Sequence, residues 1–309
     1  MTVLLPLISS YYDDVLQIWN AALPDFPMTE RLLAYNVCAC SGETVAGRLA
    51  VFNGEPLGFV LACAVTGSAL GWVSAIAVHP AAQGRGVGAQ LLAWAENWLK
   101  EKECKRVRLG GNLRPFAPGL PVSAFSAEGF FTRRGYVAPA DQPYEYDIAR
   151  DLASYAPLYS PPAQAGLTAM QAGEEALLLT FLEREYPGRW EFEAREFIKN
   201  GGRPSDFLLL RVNHQVEGFC RLTLEDSERP LARFYPQRLP RPWGQFGPLG
   251  LSKAVRGQGL GGYLIDAAAK HLHDLGVRGC VIDWTSLTDL YAKFGFSIYN
   301  RYRSLFKPI

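Results

Sequence analysis

Apolar residues along this chain alternate with polar ones or gather in short blocks, and the resulting series of elements occurs twice. In the first half, Val3–Ile8 reads as a strand and Tyr12–Ala22 as a helical stretch. Ala46–Phe52, Leu57–Val65 and Val73–Val78 read as strands. Leu91, Leu92, Ala95, Trp98 and Leu99 then recur at helical spacing and predict a helix over Val87–Lys102, followed by a strand at Arg106–Leu109. The second half repeats the order. A strand at Leu167–Met170 leads to helical stretches between Gly173 and Asn200, and strands follow at Phe207–Val212, Glu217–Thr223 and Pro248–Leu251. A helix over Leu260–Leu275 and a strand at Gly279–Asp283 close the series. The mixture predicts an α/β (α+β) fold. Phe59–Val78 carries no charge and is long enough to span a bilayer. Thr66-Gly67-Ser68 interrupts it, however, and Gly71 follows, which reads as two buried strands joined by a turn.

Residue identities support the duplication. Gly58-Phe59 follows the turn Asn53-Gly54-Glu55-Pro56, and Gly218-Phe219 follows Asn213-His214-Gln215, 160 positions later. Phe131-Thr132-Arg133-Arg134-Gly135-Tyr136 resembles Tyr291-Ala292-Lys293-Phe294-Gly295-Phe296, again 160 positions on. Between these anchors, Gln83-Gly84-Arg85-Gly86-Val87-Gly88 matches Arg256-Gly257-Gln258-Gly259-Leu260-Gly261 at a spacing of 173. The second half therefore carries 13 extra residues before its glycine loop. That extra stretch includes Pro230, Pro236, Pro240 and Pro242 and reads as a surface excursion. Residues 154–165, rich in Pro, Ala and Ser, read as a linker between an N-terminal domain, 1–153, and a C-terminal domain, 166–309.

Each glycine loop joins a strand to a helix. The first turn of a helix has free N–H groups and the positive end of the helix dipole, and glycines let a ligand approach the backbone. A diphosphate is the natural guest of the loop residues Gln83–Ala89 and Arg256–Gly262. The side chain that opens each loop, Gln83 or Arg256, adds donors. The second loop, through Gly262, also satisfies the dinucleotide fingerprint, with Asp283 about 20 residues on as a ribose-binding acid. Against this, Ser252–Arg256 and His79–Gln83 separate strand from glycines, and each loop follows several earlier elements.

Ile76-Ala77-Val78-His79-Pro80 before the first loop and Gly247-Pro248-Leu249-Gly250-Leu251-Ser252 before the second, with the late segment Asp289-Leu290-Tyr291-Ala292-Lys293-Phe294-Gly295-Phe296, resemble the GNAT superfamily of acetyl-CoA-dependent N-acetyltransferases. The resemblance covers nearly the whole chain, twice. It implies two tandem domains, each a mixed, mostly antiparallel sheet flanked by helices. It implies that the amides of Gln83, Gly84, Arg85, Gly86, Val87, Gly88 and Ala89, and of Arg256, Gly257, Gln258, Gly259, Leu260, Gly261 and Gly262, hold the pyrophosphate of acetyl-CoA. The backbone of Ile76 and Val78, or of Leu249 and Leu251, would pair with pantetheine where the strand splays from its neighbour. Tyr291 stands where a general acid would protonate the departing thiolate. Phe131 occupies the matching place in the first half, and a phenyl ring donates no proton, so the C-terminal domain is the expected catalyst and the N-terminal one is expected to bind without turnover or to have lost CoA. Asp283 is the candidate base; it could instead cap the helix spanning Ser286 to Tyr291 or bond Thr285. Trp284 would be an acceptor-pocket wall or core. The motifs are specific for acyl-CoA and do not name the acceptor. A primary amine attacking the thioester directly is expected, because no Cys or Ser stands at a nucleophile position. The string from Asp283 to Phe296 is also similar to GNAT domains found beside glycosidases, which implies an amino-sugar acceptor. Two other readings stay open: a non-catalytic acetyl-CoA binding or sensing protein, and a dinucleotide-binding protein.

Bulk properties narrow the classes further. The chain has 309 residues, 49% hydrophobic and 20% charged, and a net charge of +1, with no dense basic run. No nucleic-acid partner is expected. The six cysteines form no CxxC pair and read as buried thiols of a cytoplasmic protein. His271 and His273 point to different helix faces, and no metal site is expected. The opening MTVLLPLISSYYDD lacks the basic start of a signal peptide, and no membrane association is expected. A monomer or homodimer acting on a small-molecule amine is the resulting picture.

Overall fold

The computed structural model describes residues 2–309. The elements in chain order are β1 (Val3–Pro6), α1 (Tyr12–Ala22), α2 (Glu30–Val37), β2 (Glu43–Phe52), β3 (Glu55–Val65), β4 (Leu70–Val78), α3 (Val87–Glu101), β5 (Arg106–Leu109), β6 (Leu120–Pro121), α4 (Glu128–Thr132) and β7 (Tyr144–Asp151). They continue as β8 (Ala165–Ala169), α5 (Glu175–Glu185), α6 (Arg189–Lys199), β9 (Phe207–Val212), β10 (Gln215–Leu224), β11 (Trp243–Leu251), α7 (Leu260–Asp274), β12 (Gly279–Thr285), α8 (Thr288–Ala292), β13 (Ser297–Arg303) and β14 (Phe306–Pro308). The uncharged run Phe59–Val78 is a hairpin of β3 and β4, with Cys63 facing Trp72 across it. No helix among the described residues is long and apolar enough to cross a membrane.

The chain forms two compact units, and they do not part at residues 154–165. One holds the chain up to Glu145 together with Asn300–Ile309; the other is Tyr146–Tyr299. The first unit's sheet runs β1-β2-β3-β4-β5-β14, so its edge strand comes from the far end of the chain, with Phe306 facing Arg108. In the second unit the sheet contains the run β13-β7-β12-β11-β10-β9-β8, and β7, from the end of the first half, pairs antiparallel with β12 at Ile148–Ile282. Each half thus lends its last strand to the other unit. In each sheet a parallel pair, β4 with β5 or β11 with β12, is bridged by the long helix α3 or α7, as a parallel crossover requires.

Amphipathic spacing explains how the helices seat. Leu91, Leu92, Ala95 and Leu99 of α3 are buried against Val60, Ala62 and Val73 of the first sheet. Leu264, Ile265, Ala268, Ala269 and Leu272 of α7 pack in the same way on Cys220, Leu222, Phe246 and Cys280. On the opposite faces, α1 and α2 cover Leu49, Phe59, Leu61, Ala75 and Ala77, while α5 and α6 cover Phe207, Leu209 and Phe219. Five cysteines are buried and Cys38 is exposed, and among the described residues no two are joined in a disulfide.

The proline-bearing stretch before β11 is not a surface excursion. Its two short 3-10 turns, Leu231–Phe234 and Pro236–Arg238, bury Leu231 and Phe234 against Ala149 and Val281. The apolar side chains between the prolines supply an anchor that proline spacing alone conceals. Residues 154–165 are likewise held down rather than free: the Tyr155 hydroxyl and the Leu158 and Tyr159 amides all donate to the buried carboxylate of Asp266 on α7.

Candidate functional site

Both glycine loops run into the first turn of a long helix, and apart from Gln83 N, which donates to Pro80 O, their amides bond no described backbone carbonyl. Gly86 and Gly259 are the residues before α3 and α7, at φ 83° and 79°, and neither helix has a side-chain cap or an acidic residue in its first turn. Gly84 and Gly257 are also left-handed, at φ 75° and 79°, and a Cβ on any of these four glycines would meet nothing within 4 Å. The left-handed backbone explains why glycine stands there, and the open space beside it is where an anion can reach the N–H groups. Gln83 and Arg256 are not the free donors expected of them. Gln83 Nε2 donates to Val78 O at 3.1 Å, and Arg256 Nε and Nη2 donate to Leu251 O at 3.2 and 3.1 Å. Each long side chain reaches back to the last carbonyl of the preceding strand and fixes the strand-to-loop corner.

Each of these strands pairs with its parallel neighbour only at its start. β4 meets β5 from Leu70 to Val73, and β11 meets β12 from Trp243 to Gln245. Beyond those points the strands part. Ser252 N donates to Glu217 O, so Leu251 faces Gly218 as a non-hydrogen-bonded pair. By the alternation of an antiparallel ladder, the backbone polar groups of Leu249 and Leu251 point away from β10, into the gap. The same reasoning from His79 N and Leu57 O turns Ile76 and Val78 away from β3. Leu251 O is taken by the Tyr186 hydroxyl at 2.6 Å as well as by Arg256. A bulge interrupts each strand on its paired side, between Leu61 and Ala62 in the partner of β4 and between Cys220 and Leu222 in the partner of β11.

The two gaps then differ. In the second unit Tyr291, on α8, is 6% exposed, and no described protein group hydrogen-bonds its hydroxyl. Burial, with the neighbouring Cys220 and Asp283, raises its pKa above the ordinary tyrosine value. The fold thus brings Tyr291 and Asp283 into one electrostatic neighbourhood. Asp283 caps no helix: α8 begins without a side-chain cap, and Thr285 Oγ1 accepts from Leu287 N instead. The Asp283 carboxylate accepts from Gln245 Nε2 at 3.1 Å and pairs with Arg229 Nη2 at 3.4 Å, Arg229 being 4% exposed. Trp284, at φ 50°, lies under the Arg189 guanidinium, 4.4 Å from its ring centroid, and Arg189 pairs with Glu193 on α6. Burial pushes Glu193 up, but Arg189, Arg229, Arg221 and Arg233 outweigh it and hold its carboxyl below the usual range. This charged wall was not legible beforehand, because Arg229 and Arg233 lie in the proline-bearing stretch.

The first unit differs at the position that matches Tyr291. Phe131 is buried edge-on to Phe130 and Tyr136. The segment after β5 turns inward, and Phe116 packs 5.8 Å from Trp19 among Phe59, Ala75 and Ala77. Asn36 and Arg114 tie that segment to α2 through Pro115 O and Tyr35 O. The first unit therefore keeps the anion cradle while its own chain fills the α1–α2 side. Among the described residues no group of three or more His, Cys, Asp or Glu could hold a metal ion.

These features recur in known proteins. The acetyltransferase (GNAT) family model matches residues 10–114 and 176–296. A mycothiol acetyltransferase of Parafrankia sp. (strain EAN1pec) is 30% identical over 152 residues, which cover 44% of this chain and about half, 47%, of that protein. The glucosamine N-acetyltransferase region of a fungal multi-domain beta-N-acetylglucosaminidase superposes with a TM-score of 0.87 at 20% identity, over 99% of this chain and 38% of that one. A tandem GNAT protein from the clavulanic acid biosynthesis pathway gives 0.73 at 17% identity, over 100% and 98%. A GCN5-related N-acetyltransferase from Sphaerobacter thermophilus gives 0.70 at 18% identity, over 99% and 95%. At such identities the superpositions speak for the fold. With a family match in each half and the splayed strand and glycine loop present twice, this chain belongs to the GNAT acetyltransferase family as a tandem, two-domain member.

Proposed function

We propose that this chain transfers an acetyl group from acetyl-CoA to the primary amine of a small, hydroxyl-rich acceptor, an amino sugar, and that the second unit performs the reaction. The observation that carries this reading is the buried Tyr291 hydroxyl, which bonds no described protein group and lies within the electrostatic reach of Asp283, where the first unit has the packed ring of Phe131. The residues present fit acetyl-CoA: open, left-handed glycines, an uncapped helix start and outward-facing strand groups suit a diphosphate followed by an amide-bearing arm. Bound there, acetyl-CoA supplies an activated thioester.

The chain's own groups do the rest. Loop amides from Arg256 to Gly262 hold the diphosphate, and Leu249 and the Leu251 N–H align the arm. Asp283, held by Gln245 and Arg229, takes the proton from the acceptor ammonium, directly or through a water. The free amine attacks the thioester carbonyl, the carbon–sulfur bond breaks and Tyr291 gives its proton to the leaving thiolate, while the new amide nitrogen sheds its second proton to solvent, from which the Tyr291 phenol is restored. Beside Asp283, the buried atoms Thr223 Oγ1, Gln245 Oε1 and Arg229 Nε have no partner in the protein among the described residues. They offer both donors and acceptors, which acceptor hydroxyls satisfy together. The name of the fungal relative, a glucosamine N-acetyltransferase region, supports the same acceptor class.

The test is CoA release from acetyl-CoA with a panel of glucosamine, an arylamine, a polyamine and an amino acid. Glucosamine should give the highest kcat/KM. CoA binding without turnover on any amine would replace this reading with a non-catalytic acetyl-CoA binding protein.

A further inference from the structure

Gly262 occupies the first turn of α7 with an ordinary right-handed backbone, so its conformation does not call for glycine. Glycine in a helix costs up to about 1 kcal/mol relative to alanine, and something other than φ must explain it. A Cβ at Gly262 would fall 2.5 Å from both Cζ and Oη of Tyr159. The glycine makes room for that tyrosine.

Tyr159 comes from the segment that reads as a linker, yet it is fixed on three sides. Its amide donates to Asp266 Oδ2 at 3.0 Å, and Asp266, 1% exposed, lies one turn beyond Gly262 on the same face of α7. The same carboxylate takes the Tyr155 hydroxyl at 2.6 Å and the Leu158 amide at 3.0 Å. The Tyr159 ring stacks on buried Phe294, with centroids 6.0 Å apart. What remains is a 43% exposed ring whose hydroxyl bonds no described protein group and sits against the first turn of α7, where the helix N–H groups are uncapped. The first unit has no counterpart: Ala89 stands at the place of Gly262.

We infer that Tyr159 is a ligand of the CoA diphosphate in the second unit, its hydroxyl donating to a phosphate oxygen held by the Gly259–Gly262 amides, and that the 155–159 segment is a strap that builds this cradle. The inference rests on the reading of the second loop as a CoA site. A neutral donor to a charged oxygen is a strong hydrogen bond, and its removal should be visible without disturbing the fold.

The experiment is calorimetric titration of the full chain with CoA, and competition by pantetheine, which lacks the diphosphate. Gly259→Val identifies which CoA site belongs to the second loop. Tyr159→Phe should weaken that site about tenfold and leave pantetheine binding unchanged. If the wild-type chain shows no site that Gly259→Val removes, the CoA reading of the second unit fails. If that site exists and Tyr159→Phe binds CoA as tightly as wild type, or loses CoA and pantetheine equally, the diphosphate role of Tyr159 is wrong while the CoA reading stands.

Discussion

Replacing Tyr291 by Phe removes one oxygen from the second unit and little else. The ring is 6% exposed and meets Phe296 edge-on at 6.4 Å, a contact that phenylalanine keeps, and no described protein hydrogen bond to the hydroxyl is lost. Unfolding free energy should therefore change by no more than about 0.5 kcal/mol. Catalysis should respond far more. General acids contribute roughly 10²–10⁴-fold, and a thiolate is a good leaving group, so the low end applies: kcat should fall about 100-fold, or about 2.7 kcal/mol of barrier. The KM for acetyl-CoA should change less than about twofold, because the loop and strand contacts are untouched. The pH profile adds a second check. Burial foremost, then Cys220 and Asp283, raise the folded-state pKa of Tyr291 above its ordinary value of 10.0. A raised pKa means stability present below pH 10.0 and lost as the pH rises beyond it, and a phenol still protonated at pH 9. The wild-type rate should show no loss from this acid between pH 7 and about 9.5. The assay is steady-state CoA release with a thiol reagent, beside urea unfolding of both proteins. Wild-type kcat in the Phe variant at equal stability would remove Tyr291 from the chemistry.

Three further outcomes follow from other parts of the structure. Gly259→Val places a β-branched residue at φ 79°, which costs about 1–2 kcal/mol of local strain and fills the open space beside the amides; calorimetry should show the second unit's CoA site abolished, and retained affinity would exclude the loop as its cradle. Asp266→Ala leaves the Tyr155 hydroxyl and the Leu158 and Tyr159 amides without their acceptor, so unfolding free energy in urea should drop by about 3 kcal/mol, whereas a drop below about 1 kcal/mol would show that the strap is held by other contacts. Deleting residues 304–309 removes β14 and the buried Leu305 from the first unit, and amide exchange at Arg106–Leu109 should accelerate although these residues lie near position 108; unchanged protection there would refute the strand exchange.

The duplication, the glycine loops and most strands and helices were readable because each depends on a few adjacent residues. A left-handed turn needs glycine wherever it occurs, and an amphipathic stripe such as Leu91, Leu92, Ala95 and Leu99 shows its period within one window. Tyr291 and Phe131 were distinguishable for the same reason, since the repeat aligns them. What long-range contacts decide was hidden. β7 and β14 lie outside the series of strands read from the sequence, and the structure sends both across to the opposite half. Asp266 looks like any helical acid until burial gathers three donors around it, and that turns a proline-rich linker into a strap. Arg229 lies in a stretch that proline marks as irregular, yet burial against β12 sets it beside Asp283. The sequence by itself determined the repeated unit and the anion cradle, because backbone conformation and helix periodicity are local. Only the tertiary structure decided the domain boundaries, the polar wall and the tyrosine over the second loop, because pairing and desolvation depend on residues far apart in the chain.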